Sequence, residues 1–246
     1  MAGHSHWANI QHKKGIADAK RGRLWSKISR LIIVAARHGG GDPECNLKLR
    51  YAIDKAREVS MPKENIERAI KRGTGELVGD QMEELQYEGF GPEGIAILVD
   101  VVTDNRNRTS GEVRKIFERG GGKMGSAGSV SFLFDRKGLI VVPRSAIDED
   151  SLMALAIEAG ADDVKTAGDH FEVLCEPTAF AAVKKVITEK GIEPLQAEIV
   201  QIPKVPKEVD PETGKRVLKL VEALDDHDDV QNVYTDMQVT EAMLTE

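Results

Sequence analysis

The sequence predicts an α+β protein of three domains: an N-terminal three-helix domain, then two ferredoxin-like α/β domains, one inserted in the other. Three observations predict it. Residues 23–75 carry helical periodicity and helix stops but no strand-like run. Residues 138–203 read as β-α-β-β-α-β, the ferredoxin-like order. The stretch before them supplies only β-β-α-β, and a helix and strand that could complete it lie beyond the insert, at 209–226 and 230–235. The expected domains are therefore 1–75, 83–135 with 205–240, and 138–203. A length of 246 residues suits two domains or three small ones.

Residues 1–22 are polar, with Gly3, Gly15 and Gly22, and are expected to form an extended or mobile arm. From 23 to 38 the apolar residues Leu24, Ile28, Leu31, Ile32 and Ala35 recur at helical spacing, and Gly39-Gly40-Gly41-Asp42-Pro43 ends the run. A second helix is expected over 46–59, with Leu47 or Leu49, Tyr51, Ala52 and Ala56 inward. A third starts after Ser60, read as its N-cap, and stops at Gly73. Residues 73–82 are the linker.

Strands are expected over 84–90 and 94–102, joined at Gly91–Gly94, then a helix over 109–119 and a third strand over 128–134. The inserted unit reads as strand 138–143, helix 148–159, strands 162–166 and 170–175, helix 178–190 and strand 195–202.

Composition excludes several classes. No run approaches the ~18 apolar residues of a membrane span, so no membrane association is expected. The start, MAGHSHW, lacks the apolar core of a secretory signal and the Arg- and Ser-rich pattern of a transit peptide. Two cysteines, Cys45 and Cys175, fit neither a disulfide framework nor a zinc site. A cytoplasmic location is the expectation. Aromatics at 4% argue against a large aromatic-lined cofactor cavity, and no cofactor is expected.

The formal net charge of −7 conceals an asymmetry. Residues 1–75 hold 16 Lys/Arg against seven Asp/Glu, and residues 1–40 hold eight against Asp18 alone. A basic module on an acidic body is the electrostatic footprint of nucleic-acid binding. In the arm, Lys13-Lys14 and Lys20-Arg21-Gly22-Arg23 pair cations with glycines that let a backbone approach closely. Arg23, Lys27, Arg30 and Arg37 share one arc of the first helix beside its apolar stripe. Trp7 offers a ring to stack on an unpaired base or to anchor the arm. His4 and His6 have metal-like spacing but no Cys or carboxylate beside them, so no metal is expected. The candidate nucleic-acid contacts are Lys13, Lys14, Lys20, Arg21, Arg23, Lys27 and Arg30, with His4 and Trp7.

Asp104-Asn105-Arg106-Asn107-Arg108-Thr109 follows an apolar strand and opens a helix, so Arg106 and Arg108 form a possible secondary anion site. The same residues also read structurally, with Asn107 or Thr109 capping the helix and Asp104 pairing with an arginine. Gly120-Gly121-Gly122-Lys123-Met124 follows a helix rather than opening one, unlike a Walker A loop, and reads as a helix stop. Asp225–Asp229 reads as a solvated loop between a helix and a strand. No G-x-S-x-G, H-E-x-x-H or cysteine beside a base is present, so no catalytic residues and no enzyme are expected.

The stretches MAGHSHWANIQHKK, DAKRGRLWSKI, GGGDP, AIDKA, YEGFGPEGIAI, DNRNRT, GSVSFLF and DVQNVYT resemble the YebC/PmpR family of bacterial regulatory proteins, in order and along the whole chain. Beginning at the family's start, the chain resembles the bacterial form rather than its mitochondrial relative, the translational activator of cytochrome c oxidase. The resemblance implies a three-domain α/β fold and maps the family's basic N-terminal motif onto Lys13, Lys14, Lys20, Arg21 and Arg23. It implies a probable DNA-binding transcriptional regulator. It also carries the alternative of a ribosome-associated factor that binds ribosomal RNA and eases translation through proline-rich stretches. His6 stands where relatives often carry Lys, Leu47 where Pro is common, and Lys123-Met124 where Asn-Leu is usual.

The expected partner is thus nucleic acid, either promoter DNA or the ribosome and its RNA. No helix-turn-helix with a clear recognition helix is visible, and a glycine-flanked basic arm also suits a folded RNA surface. No oligomeric state follows from the sequence.

Overall fold

The computed structural model describes residues 21–79 and 81–244. Among them, one compact unit holds 21–130 and 216–234, and a second holds 131–215 and 235–244.

The first unit opens with three helices: α1 (Arg21–Gly39), α2 (Leu47–Glu58) and α3 (Lys63–Gly73). Their apolar stripes close a core around Ile28, Ile32, Leu49, Ile53, Ala56, Ile66 and Ala69. Of the two candidates at the start of α2, Leu49 is inward and Leu47 is exposed. Trp25 lies at the edge of this core and donates its indole N–H to the Val59 carbonyl at 3.2 Å. Gly73 fits closely on α1: a Cβ there would stand 2.4 Å from the Ile33 carbonyl oxygen and 2.7 Å from the Ala36 Cβ. That contact sets the last turn of α3 beside the last turns of α1.

Asn46 joins α1 to α2. Its Oδ1 accepts from the Leu49 N–H at 3.1 Å, capping α2. Its amide N–H groups donate to the Ala35 carbonyl at 2.7 Å and the Gly40 carbonyl at 2.8 Å, closing the end of α1.

Ser60 does not cap α3. It is the left-handed residue that ends α2, with φ 55°. The Met61 N–H returns to the Ala56 carbonyl and the Ser60 N–H to the Arg57 carbonyl, each at 2.9 Å, which is the Schellman pattern. Met61 is buried in the same core as Ala56, so the apolar contact that accompanies this motif holds the turn. The N-cap of α3 is Pro62, which supplies no side-chain hydrogen bond.

The rest of the first unit is a four-stranded sheet in the order β3-β1-β2-β8, from β1 (Glu83–Phe90), β2 (Ala96–Thr103), β3 (Lys123–Met124) and β8 (Val230–Thr235). α4 (Arg106–Arg119) lies between β2 and β3 in the chain, and α7 (Pro211–Asp225) precedes β8. Taken as β2-α4-β3 followed by β1-α7-β8, the strands have the ferredoxin-like neighbour order with a permuted chain path. The expected third strand over 128–134 is absent. Its place is taken by the two residues of β3, which pair with Gly89 and Phe90. Residues 131–133 form a 3-10 turn instead. The segment between is held by Glu88, whose carboxylate accepts the Gly128 and Val130 N–H groups at 2.6 Å each. Glycine is required on both sides of the β3 pairing. A Cβ on Gly89 would lie 2.6 Å from the Phe117 ring, and one on Gly122 would lie 2.4 Å from the Phe90 carbonyl oxygen.

The chain leaves the first unit between β3 and α7 to build the second. This is β4 (Phe134–Pro143), α5 (Glu149–Glu158), β5 (Ala161–Ala167), β6 (His170–Cys175), α6 (Phe180–Glu189) and β7 (Gln196–Pro203). The sheet order β5-β6-β4-β7 is ferredoxin-like. Central β4 pairs with β6 on one side (Ile140↔Val173) and β7 on the other (Ile140↔Ala197). Asp148 caps α5 through the Ser151 N–H at 2.9 Å. Phe180 of α6 packs on Gly138 and fills the core with Cys175 and Val173. No helix among the described residues is long and apolar enough to cross a membrane.

Candidate nucleic-acid interface

The sequence placed its candidate contacts on the arm and on α1. Lys13, Lys14, Lys20, His4 and Trp7 lie outside the described residues, and the side chain of Arg21 does as well. Arg23, Lys27 and Arg30 lie on α1, and the structure gives all three carboxylate partners.

Those partners come from the last residue of α7 and the turn that joins it to β8. Arg23 Nη1 is 3.7 Å from Asp226 Oδ1, Lys27 Nζ is 3.7 Å from Asp225 Oδ1, and Arg30 Nη2 is 3.3 Å from Asp229 Oδ1. Lys27 and Arg30 also donate to the backbone carbonyls of Asp225 and Asp228. The i, i+4, i+7 stripe that helical periodicity predicts is present, and a run of aspartates faces it. Asp225–Asp229 is therefore an ion-paired element, with Asp229 buried, rather than the solvated loop its composition suggests.

The turn is firmly built. Asp229 accepts at Oδ2 from Arg108 (2.7 Å), Thr109 (2.7 Å) and Thr103 (3.0 Å), and its N–H donates to His227 Nδ1 at 3.1 Å. With Nδ1 accepting, the proton of neutral His227 sits on Nε2, which donates to Glu112 at 2.8 Å. Burial pushes the Asp229 carboxyl up. The hydrogen bonds from Thr109, Arg108 and Thr103, with the charge of Arg30, outweigh it and hold the group below the ordinary Asp value.

The same network decides the Arg106/Arg108 pair. Arg108 is committed to Asp229 and to Asp104 at 2.8 Å. Its guanidinium is held more basic than usual, chiefly by the Asp229 hydrogen bond. Asn105, not Asn107 or Thr109, caps α4, accepting the Arg108 N–H at 3.1 Å. The helix begins at Arg106 because Asn105 is extended and its carboxamide reaches the third N–H onward. Arg106 is exposed with no carboxylate partner among the described residues.

A second cationic group escaped the sequence reading. Arg68, Lys71 and Arg72 lie at i, i+3, i+4 on α3, so they share one face. All three are exposed, and none has a carboxylate partner among the described residues. Arg37 and His38, in the last turn of α1, are also exposed, and Arg37 Nη2 donates to Gln81 Oε1 at 3.2 Å. The helix dipoles of α1 and α3 favour cations at these ends. The signal available in sequence was the spacing itself, masked by Glu64 and Glu67 in the preceding turn of the same helix.

Residues 5–76 match the TACO1/YebC protein N-terminal domain, and residues 82–237 match the TACO1/YebC second and third domain. A protein of Persephonella marina named "Probable transcriptional regulatory protein" is 54% identical over 246 residues, covering 99% of this chain and 98% of its own. One of the same name from Dictyoglomus turgidum is 51% identical over 245 residues, covering 99% and 98%. The crystal structure of a conserved hypothetical protein from Aquifex aeolicus superposes with a TM-score of 0.87 at 46% identity, covering 98% of this chain and 100% of that one.

Proposed function

Since the chain belongs to the TACO1/YebC family, we propose that it is a non-enzymatic regulatory protein that binds nucleic acid through its N-terminal helical domain, with promoter DNA as the target. The name shared by its relatives supports a regulatory role in transcription. The observation that carries the binding step is the exposed cationic face of α3, Arg68, Lys71 and Arg72, which has no carboxylate partner among the described residues, in a domain that already has an excess of positive charge. Such a face attracts phosphate without reading bases, and each phosphate neutralised releases counterions. The arm cations Lys13, Lys14, Lys20 and Arg21 extend this surface in the proposal, and the acidic α/β domains confine contact to the basic end.

The test is crosslinking in growing cells, with sequencing of both recovered DNA and recovered RNA. Two variants accompany the wild type: Lys20→Glu/Arg21→Glu and Lys71→Glu/Arg72→Glu. The expected result is discrete promoter fragments that both variants lose. Each lost phosphate contact should also make the slope of log K against log salt about 0.9 shallower in vitro. Recovery of ribosomal RNA in place of promoters, lost in the same variants, overturns the transcriptional reading in favour of a ribosome-bound factor.

A further inference from the structure

The run of aspartates on α1 places carboxylates where a nucleic acid would place phosphates. We propose that the Asp225–Asp229 turn is an intramolecular phosphate mimic that shields the Arg23–Lys27–Arg30 stripe until a nucleic-acid strand displaces it. This rests on the nucleic-acid-binding reading above and assigns its regulation.

Three features support displacement rather than a fixed brace. The stripe spans the eight residues from Arg23 to Arg30 of α1, about 10 Å along the axis, which is the axial length of about three nucleotides of one strand. One strand can therefore replace all three carboxylates. The exposure of the carboxylates falls along the stripe, from 42% at Asp226 to 31% at Asp225 and 3% at Asp229. An incoming strand meets the weakly held, solvent-screened pair at Arg23 first and works inward. Finally, Asp229 does not depend on α1. Its second oxygen is held by Arg108, Thr103 and Thr109, and its carbonyl accepts the Val102 N–H at 2.9 Å. The turn can keep its shape after Arg23 and Lys27 have left it.

The test measures affinity for a labelled mixed-sequence DNA duplex and for an RNA stem of the same length, across a salt series. The full-length variant Asp225→Asn/Asp226→Asn removes two of the mimicking charges. The variant Glu222→Gln/Asp228→Asn removes two charges from the same stretch outside the three side-chain pairs, so it carries the same loss of general repulsion. The expected result is a gain of about three- to tenfold for the first variant over the second, with a steeper salt slope. Equal gains overturn the shielding proposal and leave the binding reading standing, because the wild type still binds. Absence of binding by every protein overturns both. Should the double variant fold poorly, Asp226→Asn alone opens the half-exposed Arg23 pair and is read in the same way. A gain on DNA only, or RNA only, identifies the strand that competes.

Discussion

Arg30 of α1 and Asp229 of the α7–β8 turn meet at 3.3 Å, and the same carboxylate accepts from Arg108, Thr103 and Thr109. A single buried aspartate thereby ties the helical domain to the start of α4. Removing one partner of such a buried network leaves the others unpaired, which costs more than the net worth of the pair. Asp229→Asn is expected to lower stability at neutral pH by about 3 kcal/mol. The sign with pH follows from its depressed folded value. The contribution of Asp229 is complete above the ordinary Asp value of about 4 and is lost as the pH falls through the lower folded value. Denaturant unfolding at neutral and acid pH should therefore show a smaller pH dependence in the variant. An unchanged pH dependence would show that other carboxylates carry the acid transition.

Asn46 makes three hydrogen bonds that no other side chain could reproduce: one acceptor for α2 and two donors for the end of α1. Asn46→Ala should destabilise by about 2–4 kcal/mol, the sum of a lost cap and two unsatisfied carbonyls. Asn46→Asp separates the roles. It keeps the cap but turns a donor into a charged acceptor facing two carbonyl oxygens, and it should be no more stable than the alanine variant. Recovery of wild-type melting by Asp would mean the cap alone matters.

These two sites mark what was legible in the sequence. Helix α1 was, because its apolar and cationic residues repeat locally and periodicity needs no partner. The acid turn that faces it was not, since nothing local ties residues 225–229 to residues 23–30. Short elements failed for a related reason. The two residues of β3 carry no alternation to detect, and the pairing is decided by close backbone approach at Gly89 and Gly122. Ser60 misled because serine with proline two residues on is a good helix start. What decides its conformation is the return of the Met61 N–H to Ala56, a tertiary packing choice made by the buried Met61 side chain. The candidate site divides in the same way. The basic character of the domain was plain, but which cations meet a carboxylate depended on contacts that only the fold reveals.

Ser60 itself supplies a stabilising substitution. A non-glycine residue at φ 55° pays a steric cost that glycine avoids. Ser60→Gly should raise stability by about 0.5–1 kcal/mol, the left-handed strain relieved less the extra entropy of glycine in the unfolded chain. Ser60→Val should lower it, because a β-branched side chain fits this region worst. A melting temperature that rises for valine would contradict the C-terminal turn described above.

The two thiols should behave differently. Burial pushes the Cys175 thiol up to about 11, and its sulfur is enclosed beside Gly138 and Phe180. At pH 8 only about one molecule in a thousand would carry the thiolate there, even with free access. Cys45 is exposed, though the Asp42 carboxylate, by hydrogen bond and charge, raises its thiol as well. A thiol-disulfide reagent should therefore modify Cys45 in the native protein, slowly for an exposed cysteine, and reach Cys175 only on unfolding. Asp42→Asn should speed the Cys45 reaction by lowering its pKa, without changing Cys175. Rapid native labelling of both cysteines would mean the α6 face of the second sheet opens on the time scale of the reaction.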